Sequence, residues 1–371
     1  MKVVYKTCNF APKQKNMKQH TIDILNKWLE LKPKRDAVKS QLARKFAIEF
    51  NYNSNHIEGN TLTYGQTEIL LLFGKVVGEA KMFDLEEMKA HNIALKMVLE
   101  EASTDNPLTE TFIRQVHKTL LREDYEVYRN LPGGVTTSYT VHAGCYKTRP
   151  NSVITPSGER FEYASPEETP MLMADLMEWY HNEEAKNELS PLELAAMFHY
   201  RYIRIHPFED GNGRIARLIM NFILARHNYP LVVVPAKAKS QYLDALSSVD
   251  AKVGAKPSDG VNASLEEVKP FVDYLERLMV IEMQTDIIVS EGIGNQWWYN
   301  GGWVNFNNQN VIEIINLLIQ KPSLSISELA EILGINRSAV QKHIKSLQEK
   351  GYIMRSGSRK TGTWQVLLTK L

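Results

Sequence analysis

The residues best suited to chemistry lie in one stretch, His206-Pro207-Phe208-Glu209-Asp210-Gly211-Asn212-Gly213-Arg214-Ile215-Ala216-Arg217. It combines an imidazole, a carboxylate, two glycines flanking an amide, and two guanidiniums. Gly211 and Gly213 let a backbone approach a ligand closely. The apolar run Leu218–Leu224 reads as a helix that anchors the loop in a core, so the first-turn amides would face an anion. Arg214 and Arg217 are three apart, hence neighbours on one helix face, where each could grip a phosphate. Asp210 suits a hard cation such as Mg²⁺ bridging phosphate oxygens. His206 titrates near neutrality and could take a proton from an incoming hydroxyl. Together these residues describe a phosphate site built on a helix N-terminus.

A dinucleotide turn or a purely structural joint would fit the stretch less well. Gly211-Asn212-Gly213-Arg214-Ile215-Ala216 matches the GxGxxA dinucleotide pattern, but that turn belongs directly after a strand, with an acid closing the second strand. Here Pro235-Ala236-Lys237-Ala238-Lys239 holds no acid and the flanks are helix-rich. A packed core histidine with surface arginines would leave the glycine-amide-glycine combination without a reason.

The elements that must carry this loop follow from periodicity and punctuation. Helical spacing covers residues 17–52, with a break at Lys32-Pro33 and a second helix running through Phe50, then Thr63–Phe73, Asp84–Glu100, and a helix through Phe112, Val116 and Leu120. Asn51–Asn60 is rich in amides; by itself it reads as a polar helix-to-turn joint with Ser54 as a cap and Gly59-Asn60 as a stop. Residues 131–163, with Gly133-Gly134, Gly144, Pro150, Pro156 and Gly158, read as loops and a hairpin. Ser165-Pro-Glu-Glu168, Ser190-Pro-Leu-Glu193, Ser264-Leu-Glu-Glu267 and Ser325-Ile-Ser-Glu328 each predict a capped helix start. The second of these delivers the chain to His206.

The last sixty or so residues are organised separately. Ile312–Ile319, Ser325–Leu333 and Arg337–Gln348 predict three helices. A hairpin follows, tipped by Arg355-Ser-Gly-Ser-Arg-Lys360, so the region resembles a winged helix-turn-helix. Its lysines and arginines suit DNA phosphates, although the same fold also serves for protein packing.

Length and composition bound the rest. A chain of 371 residues implies more than one domain. Lys+Arg 44 against Asp+Glu 43 argues neither for nor against nucleic acid in bulk. Cys8 and Cys145 form no disulfide framework or CxxC pair, which points to a reducing compartment. No run long enough for a membrane span is present. The lysine-rich start is unlike a signal peptide, so a cytoplasmic location is expected.

His206–Arg217 resembles the signature of the Fic/Doc family, HPFx(D/E)GNGRxxR, at all nine fixed positions. The resemblance spans about Leu108–Leu246 and implies an all-α Fic bundle with a small β-hairpin flap. It further implies transfer of AMP from ATP to a Ser, Thr or Tyr hydroxyl of a target protein, with pyrophosphate released. In that reading His206 is the base, Asp210 holds Mg²⁺, Gly211, Asn212 and Gly213 form the anion hole, and Arg214 and Arg217 bind the β- and γ-phosphates. Ser54-Asn55-His56-Ile57-Glu58-Gly59 resembles the family's inhibitory motif, (S/T)xxxE(G/N), in which Glu58 pairs with Arg217 against ATP. Gly144–Gly158 resembles the flap that docks the target by strand addition, with Tyr146, Arg149 and Val153 in reach. Tyr242 falls where the family places an aromatic near adenine.

The expected organisation is thus 1–105 as an N-terminal helical region carrying the inhibitory motif, 106–290 as the catalytic domain, 291–310 as a linker and 311–371 as the winged helix. The expected partners are a target protein, the chain itself as a target, DNA through the winged helix, and a second copy of the chain; no membrane is expected. Two rival readings are a DNA-binding regulator whose Fic domain senses nucleotide, and removal of AMP by the same site.

Overall fold

The computed structural model describes residues 17–130, 136–154, 160–254, 256–291, 296–299, 302–306, 308–357 and 362–370. The chain runs through α1 (Gln19–Glu30), α2 (Lys32–Ala37), α3 (Lys39–Ile57), α4 (Tyr64–Phe73), α5 (Met82–Ala102) and α6 (Glu110–Leu121). Two hairpins follow, β1 (Tyr125–Asn130) with β2 (Thr136–Val141), and β3 (Ser152–Ile154) with β4 (Arg160–Glu162). Then come α7 (Thr169–Lys186), α8 (Pro191–Ile205), α9 (Asn212–Arg226), α10 (Lys239–Val253), α11 (Pro257–Val261) and α12 (Leu265–Glu291). The C-terminal part holds β5 (Gln296–Tyr299), β6 (Gly302–Asn305), α13 (Gln309–Gln320), α14 (Ile326–Leu333), α15 (Arg337–Glu349), β7 (Ile353–Ser356), β8 (Thr363–Val366) and β9 (Thr369–Lys370).

These elements form two compact units. The first gathers the chain to Leu29, Phe50–Thr61 and Lys81–Gln284; the second gathers Glu30–Glu49, Leu62–Ala80 and the chain from Thr285.

The first unit is built on α8 and α9. Every residue of α8 except Ile203 is buried, and so is every residue of α9 from Leu218 to Leu224. Helices buried on every face lie inside a core, and the polar residues they carry there, such as Arg201 and Arg204 of α8, find hydrogen-bond partners. Neighbours α5 and α6 cover α9, while α7 and α11 cover α8. The signature loop joins the C-terminus of α8 to the N-terminus of α9. Its position is thereby set by the two best-buried helices of the unit.

Local chemistry explains the helix starts. Ser190 Oγ accepts from the Glu193 amide at 3.2 Å, and the Glu193 carboxylate accepts from the Ser190 amide at 2.8 Å. Ser165/Glu168, Ser264/Glu267 and Ser325/Glu328 make the same reciprocal pair. Three of the four predicted caps thus open their helices directly, whereas the Ser165/Glu168 pair closes a turn ahead of α7, which begins only at Thr169 after an N-cap Glu168 that makes no side-chain bond.

Within the first unit the structure departs from the sequence reading in several places. First, α3 does not stop at Phe50 but continues through the amide-rich stretch to Ile57, so Ser54 lies in its last turn and is not an N-cap. Tertiary partners for those amides outweigh their weak helix preference. Gly59, at φ +102°, ends the turn as expected. Second, a strand begins already at Tyr125 and pairs with β2. Third, the flap strands are Ser152–Ile154 and Arg160–Glu162, so 144–151 precedes the hairpin as irregular chain. Gly133-Gly134, the flap tip with Pro156 and Gly158, and Cys8 lie outside the described residues.

In the second unit, α13–α15 and the β7–β8 hairpin enclose Ile312, Ile315, Leu318, Leu329, Val340, Ile344, Leu347 and Trp364. Gly334, at φ +64°, makes the turn between α14 and α15, and Asn336 caps α15 through the Ala339 amide at 2.8 Å. This is the winged helix expected; Arg359 and Lys360 of its tip lie outside the described residues. In the stretch taken as a linker, β5 pairs with β6 and β9, and Trp297 is fully buried. Among the described residues no helix is long and apolar enough to cross a membrane.

Because the Ser190 box starts the helix that ends on His206, Ser190→Ala should cost about 1 kcal/mol. The check is a lower midpoint in thermal unfolding followed by circular dichroism.

Candidate active site

His206 closes α8 in the left-handed region, φ 52° and ψ 59°, with its amide on the Tyr202 carbonyl at 2.9 Å. Tyr163 stacks on the ring at 3.9 Å between centroids. Loss of hydration, with Lys147 adding to it, pushes the imidazole down to about 3, so the ring is neutral at pH 7. A neutral ring is the form that can accept a proton.

The loop after it is stapled from within. Asn212 Oδ1 accepts from the Phe208 amide at 2.9 Å, and Nδ2 donates to the Phe208 carbonyl at 2.7 Å. The Asn212 side chain is therefore engaged within the loop, and an anion would meet backbone amides instead. Gly211, at φ +78°, caps α9 without a side-chain bond, leaving first-turn amides for a ligand. Phe208 stacks flat on His117 of α6 at 3.7 Å. His117 accepts from the Gly144 amide on Nδ1, so its Nε2 donates to the Asp210 carbonyl at 3.0 Å.

Asp210 accepts from Tyr125 Oη at 2.8 Å and from Arg214 Nη2 at 3.2 Å. Burial works to raise its pKa, but Arg214, Tyr125 and the Gly211 amide outweigh it, so the carboxylate is charged. Its side chain remains 44% exposed. An open carboxylate of this kind has the chemistry to hold a hard cation that keeps most of its waters.

Both arginines are already paired. Arg214 holds Glu87 of α5 through Nη1 and Asp210 through Nη2. Arg217 is 1% exposed. Its Nε donates to Ser54 Oγ at 3.0 Å, and Nη2 to the Ser54 carbonyl at 2.9 Å and Glu58 Oε1 at 2.7 Å. Burial works to raise the Glu58 pKa, but Arg217 foremost, then Arg214 and Lys239, brings it below the usual value. A Cβ on Gly213 would stand 2.6 Å from Glu58 Oε1, so only glycine permits this approach.

The Ser54 hydroxyl is oriented from behind. Asn51 donates through Nδ2 to Asn92, which leaves its Oδ1 to accept from His91 Nδ1 at 2.7 Å. His91 Nε2 must then accept from Ser54 Oγ at 3.0 Å, and the hydroxyl's lone pairs face Arg217. Lys239 Nζ donates to the Ile57 carbonyl at 2.7 Å and closes the helix end. Asn60 donates to Glu87 at 2.8 Å, so the turn after Glu58 is fastened to α5.

The predicted residues thus converge, with qualifications. Tyr242 is 3% exposed and bonded to His199 at 2.8 Å, beneath Arg217 rather than on an open face. Tyr146 donates to Glu110, and Arg149 lies over Tyr139; the Val153 side chain lies outside the described ones. Sequence reasoning missed Glu87, His91, His117, Tyr125 and Lys239. For the two histidines a signal existed: each occupies an apolar-face position, beside Met88 and Leu95 or Ile113 and Leu120.

Comparison with known proteins places this geometry in a family. The model of the Fic/DOC family matches residues 107–224, and that of the winged helix-turn-helix DNA-binding family matches 307–354. A crystal structure of a Fic domain containing signaling protein from Bacteroides thetaiotaomicron is 48% identical, with a TM-score of 0.69 over 74% of this chain and 97% of that one. The chain belongs to the Fic/DOC family. Relatives named protein adenylyltransferase include fic-1 of Caenorhabditis elegans, 29% identical over 238 residues, and Fic of Drosophila grimshawi, 30% identical over 223. These alignments cover 64% and 58% of this chain but only 40% and 42% of the relatives.

Burial lowers the pKa of His91 and His199, the latter to about 3. The unfolded chain binds protons near pH 6.5 that these folded residues refuse. Stability is therefore lost as pH falls below 6.5, by on the order of 1–2 kcal/mol per histidine at pH 5. A melting series should give a lower midpoint at pH 5 than at pH 7.

Proposed function

We propose that the chain is an autoinhibited protein adenylyltransferase, dependent on ATP and Mg²⁺. The observation that carries this reading is the Glu58–Arg217 pair beside an intact signature: a buried guanidinium placed for phosphate and held by a carboxylate.

In the proposed reaction His206 accepts the proton of a target Ser, Thr or Tyr hydroxyl. The hydroxyl oxygen forms a bond to the α-phosphorus as the bond from that phosphorus to the bridging β-oxygen breaks, and pyrophosphate leaves. The first-turn amides of α9 hold the α-phosphate charge. Arg214 and Arg217 hold the outer phosphates, the latter only after Glu58 leaves. Asp210 would hold Mg²⁺, which neutralises phosphate charge when bound. The target segment docks on the β3–β4 hairpin by strand addition, and a segment of the chain itself can serve as target.

The names of the relatives support the activity, and the burial of Arg217 supports the brake. With labelled ATP and Mg²⁺, Glu58→Gly should raise AMP incorporation into the chain or lysate proteins at least tenfold, and His206→Ala in that background should abolish it. A silent Glu58→Gly chain would contradict the reading.

The winged-helix match favours a second property. Arg337, Gln341, Lys342 and Lys345 of α15 are exposed, as a groove-reading helix requires. We propose that this face binds DNA. The full chain should shift duplex DNA at low salt, with affinity falling as salt rises, and Lys342→Ala should weaken the shift.

A further inference from the structure

Lys147 is only 3% exposed and lies outside the signature; burial brings the pKa of its ammonium down to about 8, so it stays mostly charged at pH 7. Its ammonium donates all three protons: to Asn151 Oδ1 at 2.9 Å, the Ile205 carbonyl at 3.0 Å and the His206 carbonyl at 2.9 Å. Its amide donates to the Pro207 carbonyl at 2.8 Å. Asn151 Nδ2 donates to the Phe208 carbonyl at 3.1 Å, and Thr148 bonds the Glu209 carboxylate through its amide and hydroxyl. Residues 147–151 therefore engage each of residues 205 to 209 in turn.

This strap supplies a restraint that the signature itself lacks. A non-glycine residue at positive φ is unfavourable by about 1 kcal/mol and persists only where its surroundings over-determine it. His206 is such a residue. Its amide is fixed by α8 and its ring by Tyr163, but its carbonyl is fixed by Lys147. Three acceptors around one nitrogen suit an ammonium; a neutral amine could serve only two. The same residue sits at the C-terminus of α8, where a cation complements the helix dipole.

We propose that Lys147 is the positioning residue of the general base, holding His206 in its reactive backbone conformation and tying the root of the flap, which starts at Ser152, to that base. This inference rests on the proposed adenylylation.

The test uses the full chain in the Glu58→Gly background. Lys147→Met, which keeps the length of the side chain but not its charge or donors, should lower kcat for AMP incorporation at least tenfold. KM for ATP should stay within about twofold, since the phosphate grips are untouched. Lys147→Arg, which keeps charge and donors, should recover part of the rate. Asn151→Ala, which removes one acceptor, should give the same split at smaller size and stands in should Lys147→Met not fold. In histidine-labelled protein the His206 imidazole resonances should move in Lys147→Met and stay nearer the parent in Lys147→Arg. An unchanged kcat, a loss confined to KM, or unmoved His206 resonances would overturn the proposal. If the Glu58→Gly parent incorporates no AMP, the proposed activity fails, and the resonances alone decide the role of Lys147.

Discussion

Burying the Arg217 guanidinium is the constraint on which the first unit turns. A cation held that far from water is stable only when its donors are satisfied. The fold meets this chiefly from the last turn of α3, with Tyr242 of α10 beneath the guanidinium as a further partner. Ser54 supplies a hydroxyl and a carbonyl, and Glu58 supplies the charge. Much else supports that turn: His91 aims the hydroxyl, Lys239 closes the helix end, and Asn60 fastens the following residues to α5. An anionic phosphate would satisfy the same donors, so whichever ligand holds Arg217 excludes the other.

The loop between α8 and α9 meets a second constraint. It has to turn sharply between two helices buried on all sides, and it does so with left-handed conformations at His206 and Gly211. Asn212 bonds both polar groups of Phe208, which frees the first amides of α9. Phe208 in turn fills the face of His117. Rigidity here has a chemical consequence: donors that do not need to reorganise are the ones that stabilise developing charge best. The electrostatics divide accordingly. Asp210 and Glu58 stay ionised among cations, while the partly buried His206 stays neutral.

Much of this was legible in the amino-acid sequence because it rests on local rules. The four Ser-to-Glu pairs, the glycine at the end of the Glu58 turn and the helix-turn-helix punctuation depend on residues a few positions apart. The signature was legible because its residue types have few joint uses besides phosphate chemistry. What was not legible depends on distant partners. Nothing near Glu87 in sequence says that it meets Arg214, 127 positions away. Asn51–Ile57 carries weak helix formers, and distant partners such as His91 and Asn92 on α5, Arg217 on α9 and Lys239 on α10 explain why it stays helical. Lys147 carries no signal in the sequence, since its three acceptors are two backbone carbonyls and one side-chain amide whose positions no spacing rule gives.

Competition between Glu58 and the outer phosphate of ATP for Arg217 is the centre of the proposed mechanism. The most direct measurement is a pair of crystal structures grown with Mg²⁺ and a non-hydrolysable ATP analogue, one of the native chain and one of Glu58→Gly. The native chain should keep the Glu58–Arg217 pair with the phosphate tail turned away, and in Glu58→Gly the γ-phosphate should occupy Arg217. A native structure with the γ-phosphate on Arg217 while Glu58 still holds it would contradict the competition.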